Sequence, residues 1–353
     1  MKKHCLLLGL AVINIVQLSA QSNDSEDRVR VSGYLETYYA TDFAKSKTHN
    51  GPSFMYSYNR LNEFTPNLAL LKIAYGEKSI RANMAIAAGT YMNSNLSAEP
   101  GVLKNIFEAN AGVKLSAGKN IWLDAGIFSS HIGFESAIGK DCWNLTRSML
   151  ADNSPYYESG IKLSYTTANE QWFMSVLLLN GWQRIQRVAG NNTIGIGHQL
   201  TYKPDSTITL NSSSFIGNDK PDSIKQMRYF HNFYGIFKLS NRFAITTGFD
   251  VGAEQKTKGS RTYNYWYSPV LIGQWKLNSK ASVAGRLEYY SDANGVIIPS
   301  TTLTGFKTWG YSMNYDLALH PKALWRIEAR YFSSKDRAVN KSLLITTSLA
   351  VSF

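Results

Sequence analysis

The sequence predicts an all-β fold, a transmembrane antiparallel β-barrel of about sixteen strands with short periplasmic turns and long external loops. Three observations support this prediction. Most of the strand-like runs are 11 to 14 residues long, whereas strands of ordinary globular proteins average about five or six residues. The connections between the runs alternate strictly between short and long. The N-terminus has the composition of an export signal.

The N-terminal segment predicts export, and the predicted barrel then places the protein in the outer membrane of a Gram-negative cell. Two lysines near the start precede an apolar run over 5–16, and the Leu-Ser-Ala sequence at 18–20 suits cleavage. We therefore assign 1–20 to a cleaved signal peptide, 21–28 to a short polar lead and 29–353 to the barrel. An N-terminal helix or strand is the alternative interpretation of the first segment.

Composition excludes several classes of protein. The chain has 353 residues, a formal net charge of +12, 18% charged residues and two cysteines. Two cysteines are too few for a disulfide scaffold or a Cys-based zinc module. No apolar stretch of about 18 residues follows the N-terminus, which argues against helical membrane spans. Because the basic residues are scattered, nucleic acid is not an expected partner. The expected partners are outer-membrane lipid and lipopolysaccharide, together with small hydrophilic solutes and ions.

Sixteen runs alternate apolar and polar residues, as half-buried strands do, and Gly, Pro, Asn or Asp residues bound them. In chain order they lie near 29–40, 64–75, 79–92, 106–117, 120–130, 157–167, 170–182, 193–203, 206–217, 227–240, 242–254, 263–277, 280–291, 303–319, 322–334 and 342–353. The last run is the clearest, because its apolar residues fall at odd positions from Leu343 to Phe353. A strand that closes a barrel explains this ending, and an amphipathic edge strand is the alternative.

The connections sort by length. Seven tight turns lie at 76–78, 118–119, 168–169, 204–205, 241, 278–279 and 321, and they alternate with eight longer segments at 41–63, 93–105, 131–156, 183–192, 218–226, 255–262, 292–302 and 335–341. Sixteen antiparallel strands with both chain ends on one side require this arrangement, and it is typical of outer-membrane barrels. A soluble sandwich has no reason to alternate its loop lengths in this way.

The charged face of the strands predicts an aqueous lumen. The inferred lumen face carries eleven Lys or Arg and nine Asp or Glu residues, and an Arg or Lys facing lipid in mid-strand would cost about 2–4 kcal/mol. Sixteen strands enclose a space too wide for side chains to fill. The near balance of charge predicts weak ion selectivity. As pore-wall residues we select Arg81, Asp124, Arg286, Glu288, Arg326, Glu328 and Arg330.

The loop 131–156 is the candidate constriction. Its middle, 142–150, could form a short helix, and apolar side chains there, such as Trp143 and Met149, need a place to be buried. Folding into the barrel mouth would bury them, and packing over the outer rim is the alternative. Charges at a constriction set ion preference. The predicted constriction residues are Glu135, Lys140, Asp141, Arg147 and Asp152, and reversing Arg147 to Glu is expected to shift that preference.

Motifs of enzymes and metal proteins are absent from the sequence. The six histidines show no ligand spacing such as His-Glu-x-x-His, and there is no Gly-x-Ser-x-Gly elbow. The stretch 195–200 begins like a dinucleotide fingerprint but lacks the third glycine. His131 and Ser130 are adjacent, so strand alternation would place them on opposite faces and not in one catalytic set. We therefore predict no catalytic residues, no metal, no cofactor and no enzymatic activity.

Three stretches carry a resemblance to a known family. They are NEFTPNLALL at 62–71, GIFSSHIGFES at 126–136 and NLTRSMLADNSPYYESG at 144–160. They resemble the β-barrel porin-2 (OmpL-like) family of outer-membrane porins, and the third stretch is the most specific. The resemblance spans essentially the whole mature chain. It implies an outer-membrane channel for passive diffusion of ions and small hydrophilic solutes, without a defined substrate.

Two other functions stay open at this point, a solute-specific outer-membrane channel and a non-conducting barrel that acts as a receptor or anchor. The oligomeric state also stays open, and analogy with other sixteen-stranded porins makes a homotrimer one candidate.

Overall fold

The computed structural model describes residues 28–43, 48–300, 302–334 and 342–353. The expected signal peptide, 1–20, the polar lead up to residue 27 and the long connection expected at 335–341 lie outside the described residues. The strands are β1 (Val29–Asp42), β2 (Phe64–Gly76), β3 (Ile80–Ala88), β4 (Ile106–Lys114), β5 (Asn120–Ser129), β6 (Tyr157–Thr166), β7 (Trp172–Leu179), β8 (Gly195–Tyr202), β9 (Ile208–Gly217), β10 (Arg228–Lys238), β11 (Phe243–Gln255), β12 (Tyr263–Lys276), β13 (Ala281–Asp292), β14 (Phe306–His320), β15 (Ala323–Ser334) and β16 (Leu343–Ser352). Two short α-helices, α1 (Thr90–Asn95) and α2 (Met149–Asp152), lie in long connections, as do 3-10 turns at Gly101–Asn105, Gly139–Asp141 and Asp222–Ile224.

The sixteen strands form one closed antiparallel barrel, in which each strand pairs with its neighbours in sequence and β1 pairs with β16. At the closure, Gly33 and Phe353 exchange two backbone hydrogen bonds of 2.8 and 3.0 Å. The Phe353 ring lies directly over Gly33, where a Cβ atom would be 2.2 Å from the ring. The predicted fold class is confirmed, and the last strand closes the barrel rather than forming a free edge.

The connections follow the predicted alternation. Seven of them have two to five residues, and the eight others have seven or more. We call the two ends of the barrel the short-turn end and the long-loop end; both β1 and β16 have their outer termini at the short-turn end. In the part of the chain that the structure describes, neither α-helix is long and apolar enough to cross a membrane.

Two local expectations differ from the structure. The strand predicted over 79–92 ends at Ala88, because Gly89 adopts a φ of 129° and α1 begins at the next residue. The helix predicted within 142–150 begins only at Met149, where the Ser148 side chain caps it by accepting from the Ala151 N–H. Residues before Ser148 instead use their backbone groups to bind the barrel wall, as the Thr146 N–H does.

The two faces of the strands differ in polarity. Outward side chains are large and apolar, such as Val176 and Ile196, each more than half exposed. Inward side chains include Glu36, Ser213 and Glu328, all buried. A water-soluble sheet would have the reverse arrangement. The outer surface is therefore that of a protein solvated by lipid.

Long connections fold inward and fill the barrel interior at the long-loop end. An aromatic core forms there, in which Phe54 packs edge-to-face against Phe306 and Phe332 with ring centroids 5.0 Å apart. Tyr58 and Met149 are fully buried in the same core. The sequence predicted a lumen that side chains could not fill. That prediction considered only wall residues, and loop residues supply the missing volume.

Candidate functional site

The loop 131–156 enters the barrel and lies against one side of its wall. The Thr146 N–H donates to Glu328 at 2.6 Å, and the Met149 N–H donates to Glu288 at 2.5 Å. Arg326 donates to the Gly139 carbonyl oxygen at 2.8 Å. These contacts are with β13 and β15. The loop thus lies inside the barrel, as its apolar residues led us to expect, and not over the outer rim.

A network of buried charges on β13–β15 underlies these contacts. Arg286 lies 3.1 Å from Glu288 and 3.2 Å from Glu328, and Arg330 lies 2.7 Å from Glu288. Arg326 makes a two-bond ion pair with Asp316 at 2.8 and 2.9 Å. Five predicted pore-wall residues are therefore buried under the loop, namely Arg286, Glu288, Arg326, Glu328 and Arg330. Their charges hold the loop and do not face a water-filled space.

Arg147 is placed differently from the constriction role expected of it. Its side chain is 0% exposed, and its guanidinium donates to the carbonyl oxygens of Ser136 at 2.6 Å and Leu145 at 2.8 Å. Nearby, the Glu135 carboxylate accepts from the Ser148 N–H at 3.1 Å and from its hydroxyl. Burial raises the pKa of Glu135. Both side chains shape the loop from within, because its backbone groups require partners in the buried interior.

Lys140 and Asp141 are the predicted constriction residues that face solvent. Their side chains are 40% and 50% exposed, and Nζ of Lys140 lies 3.7 Å from Oδ1 of Asp141. The Lys140 N–H donates to the hydroxyl of Tyr34 on β1 at 3.2 Å. This contact places the pair on the side of the loop nearer the short-turn end.

Asp152, the last predicted constriction residue, ends α2 and is 4% exposed. The Ser57 hydroxyl donates to its Oδ1 at 3.3 Å. Its Oδ2 has no hydrogen-bond partner among the described residues. Burial raises the pKa of this carboxyl to about 7.

His131 fastens the start of the loop to the opposite wall. Its Nδ1 donates to Glu158 of β6 at 2.8 Å, and its Nε2 donates to the carbonyl oxygen of Ser214 on β9, also at 2.8 Å. Because both ring nitrogens face oxygen acceptors, this geometry fits the doubly protonated imidazole. No sequence signal indicated this role, since Ser214 is 83 positions away.

Polar cavities follow the wall that the loop leaves uncovered. The cavity that we call the wall cavity has a volume of about 340 Å³ and is lined by Arg81, Trp122, Asp124 and Lys162 among others. It shares Glu108 and Ser129 with a cavity of about 320 Å³ under the loop. At the short-turn end it shares Thr166 and Phe173 with a third of about 500 Å³. The three cavities adjoin one another along β2–β10, and we refer to them together as the polar path.

A fourth cavity, of about 380 Å³, lies at the long-loop end, and we call it the vestibule. Its lining includes Arg184, Asp219 and Arg228. Residues 152–154 of the loop line the vestibule, whereas residues 155–156 line the cavity of about 320 Å³ under the loop. The segment 152–156 therefore separates the vestibule from the polar path. A further concavity, of about 510 Å³, is an apolar groove beside Leu271 and Tyr311 on the outward face.

Arg81 and Asp124 are the predicted pore-wall residues that line the polar path. They form a two-bond ion pair of 2.7 and 2.6 Å between β3 and β5. Gly112 of the intervening strand leaves room for it, because a Cβ atom there would lie 2.2 Å from Oδ1 of Asp124. The Arg81 guanidinium also stacks over the Trp122 ring at 4.2 Å. Within the described ranges, no group of three or more His, Cys, Asp and Glu side chains is placed to hold a metal ion.

Comparison with known proteins gives one family and many similar folds. The family model described as "Putative beta-barrel porin-2, OmpL-like" matches residues 28–353. An anion-selective porin from Comamonas acidovorans aligns with a TM-score of 0.62 at 8% identity, covering 92% of this chain and 99% of that one. The outer membrane channel DcaP of Acinetobacter baumannii aligns with a TM-score of 0.61 at 9% identity, covering 92% and 97%. OmpT, an outer membrane protein of Vibrio cholerae, aligns in its trimer form with a TM-score of 0.60 at 9% identity, covering 92% and 99%. Comparison with curated proteins returned no match.

Proposed function

Since the chain belongs to the β-barrel porin-2 (OmpL-like) family, we propose that it is an outer-membrane porin through which ions and small hydrophilic solutes diffuse passively. The observation that carries this proposal is the series of polar cavities inside the closed barrel, along β2–β10. A lumen lined by charged and amide side chains replaces part of a solute's hydration shell during passage. Diffusion down a gradient requires no cofactor and no catalytic group.

In this proposal the predicted site residues divide into two groups. Arg81 and Asp124 line the path, and Lys140 and Asp141 are exposed on the loop, so in this proposal these four influence passing ions. The others hold the loop in place. They are Glu135, which binds Ser148 and also lines the cavity under the loop, and the buried residues Arg147, Asp152, Arg286, Glu288, Arg326, Glu328 and Arg330. The near balance of charge inferred from the sequence therefore does not describe the path, because the loop covers most of the charges on β13–β15.

The remaining expectations belong to the same proposal. Export with cleavage after residue 20, contact with outer-membrane lipid and lipopolysaccharide, and a homotrimer all suit a porin of this size. The apolar outward face supports the lipid contact, and the trimer form of the Vibrio cholerae protein is a precedent for the assembly. The similarity to porins and an outer membrane channel favours a channel over an enzyme.

Conductance of the refolded, full mature chain in a planar bilayer tests the porin function. Stable ohmic steps are expected, and they would show an open aqueous path. Persistent silence from a folded barrel, identified by its heat-modifiable mobility on gels, would contradict the porin function. It would instead favour a receptor or an anchor.

A solute-specific channel is the second candidate, and one observation favours it. The segment 152–156 separates the vestibule from the polar path, so a solute that displaces this segment would have privileged entry. Such a channel would conduct little salt alone and would show flux that saturates with one solute. A general porin would show flux that follows solute size.

A further inference from the structure

The charged side chains that point into the barrel form two sets, one covered by the loop and one not covered by it. On β13–β15 the ionic side chains are buried and paired beneath it. Beside the wall cavity lie two further pairs, Lys72 with Glu108 at 2.5 Å and Arg81 with Asp124. Each carboxylate of the wall cavity thus already has a basic partner.

Lys162 is an additional cation in this cavity. It lies on β6 opposite Asp124 of β5 in the strand register. Both oxygens of Asp124 are bonded to Arg81. The Lys162 ammonium makes no hydrogen bond or salt bridge to any residue that the structure describes, and Nζ lies 4.6 Å from the centre of the Phe128 ring.

Glu158, on the same strand as Lys162, is also occupied. Its carboxylate accepts from the imidazole of His131 and, at 3.2 Å, from the hydroxyl of Ser130. The side chain is 1% exposed. An ammonium group has three donors and no acceptor. Because Asp124 and Glu158 are bonded to other groups, the donors of Lys162 are available to water or to a solute in the cavity.

The other lining groups suit a small oxyanion. Ser164 adds a hydroxyl donor, and Asn83 adds one amide hydrogen beside the one that it donates to Asn110. The guanidinium of Arg81, although paired with Asp124, also borders the cavity beside Trp122. A volume of about 340 Å³ admits a small molecule and excludes a large one.

We propose that Lys162 and the wall cavity form a binding step for small carboxylate or phosphate anions, so that the channel prefers anions. This inference rests on the proposed porin function and names its solute class. An unpaired positive charge in a low-dielectric cleft raises the local concentration of anions. Binding at one charge is weak enough for release, as conduction requires.

The test compares wild type with Lys162→Gln, using the reversal potential in a potassium chloride gradient and the block of chloride current by inorganic phosphate or by acetate. Wild type is expected to be anion-selective and to show saturable block. In Lys162→Gln the anion-to-cation permeability ratio should fall by about threefold or more, and the block should be lost. Lys162→Arg, which keeps the charge, should retain both properties.

Lys114→Gln is the matched control, because it removes a lumen-facing lysine of the same wall that does not line the cavity. An unchanged ratio and an unchanged block in a conducting Lys162→Gln barrel would overturn the inference and leave the porin function intact. Calorimetric titration of the detergent-folded protein with phosphate decides the matter even if the channel is silent. Binding that does not depend on Lys162, or no binding, contradicts the inference.

Discussion

Glu288 on β13 accepts a hydrogen bond from the backbone N–H of Met149, the first residue of α2, at 2.5 Å. The same carboxylate is paired with Arg286 and Arg330. One side chain therefore links the barrel wall, its buried cations and the loop that occupies the lumen. The position of the loop depends on a few such carboxylates, and substitutions at them should change both stability and permeation.

Glu288→Gln should loosen the loop. The substitution leaves two buried guanidinium groups short of a negative partner, and breaking a buried ion pair costs about 3–5 kcal/mol. We expect a lower unfolding temperature and a larger, noisier single-channel conductance. Glu77→Gln, at an exposed pair with Arg28, is the control and should change neither property. A quiet channel of wild-type conductance in Glu288→Gln would show that the loop is held by other contacts.

Loss of charge should lower the stability of the protein at Arg147 and change ion selectivity at Lys140. Arg147→Gln removes donors to buried carbonyl oxygens, and each unsatisfied buried acceptor costs about 1–3 kcal/mol. We expect a clear fall in stability. Lys140→Gln removes an exposed charge on the loop and should shift the reversal potential with little effect on stability. A shift in selectivity from Arg147→Gln without loss of stability would instead support the role expected from the sequence.

The buried carboxyl of Asp152 should make stability depend on pH. Its pKa in the folded protein is about 7, above the value of about 3.9 for an unfolded chain. Folding therefore becomes less favourable as the pH rises from about 4 through about 7, because the unfolded chain ionises first. The charged groups that act on it are Arg147, Arg286, Arg330 and Glu135.

Thermal unfolding measured from about pH 5 to about pH 9 spans the folded-state titration of this carboxyl and tests the effect. Asp152→Asn should flatten the profile and stabilise the protein most at the alkaline end. The channel should also conduct better above neutral pH, since an ionised Asp152 favours displacement of the segment 152–156. Asp141→Asn removes an exposed carboxylate of the same loop and should leave the profile unchanged. Identical profiles for Asp152→Asn and wild type would refute the prediction.

Barrel closure should depend on the contact between Gly33 and Phe353. A side chain at residue 33 would occupy the position of the Phe353 ring. Gly33→Val is expected to slow refolding and to reduce the heat-modifiable fraction on gels. In Gly33→Val combined with Phe353→Ala the clash is removed, so part of that fraction should return. Gly76→Val, where a Cβ atom would meet no neighbour within 4 Å, is the control.

The strands were predictable because their signal is local. Alternation within each run and the alternation of connection lengths require no knowledge of distant contacts, and all sixteen strands occur near their expected positions. The inward position of 131–156 followed from apolar residues such as Met149 that needed burial. Local patterns thus defined the barrel and the segment that enters it.

The sequence could not predict which strands of the barrel wall the loop 131–156 packs against. That choice of strands depends on pairings such as Thr146 with Glu328, which lie 182 positions apart, and nothing near either residue indicates the other. For the same reason Arg286 and Arg330 could not be distinguished from Arg81 as pore-lining residues. Lys162 carries the same charge as other lumen lysines, and it becomes distinctive only when the partners of Asp124 and Glu158 are known.

The division of labour between the two walls has an evolutionary consequence. The strands that hold the middle of the loop, β13–β15, are different from those that border the polar path, β2–β10, although two of the latter, β6 and β9, hold its start through His131. Replacing the path side chains that do not contact the loop therefore risks less of the molecule's folding energy than replacing those on β13–β15. Such a barrel could adapt to new solutes through substitutions on β2–β10, while β13–β15 stay conserved because they hold the loop. The same separation would let a nanopore engineer change the permeability of the path and the position of the loop independently.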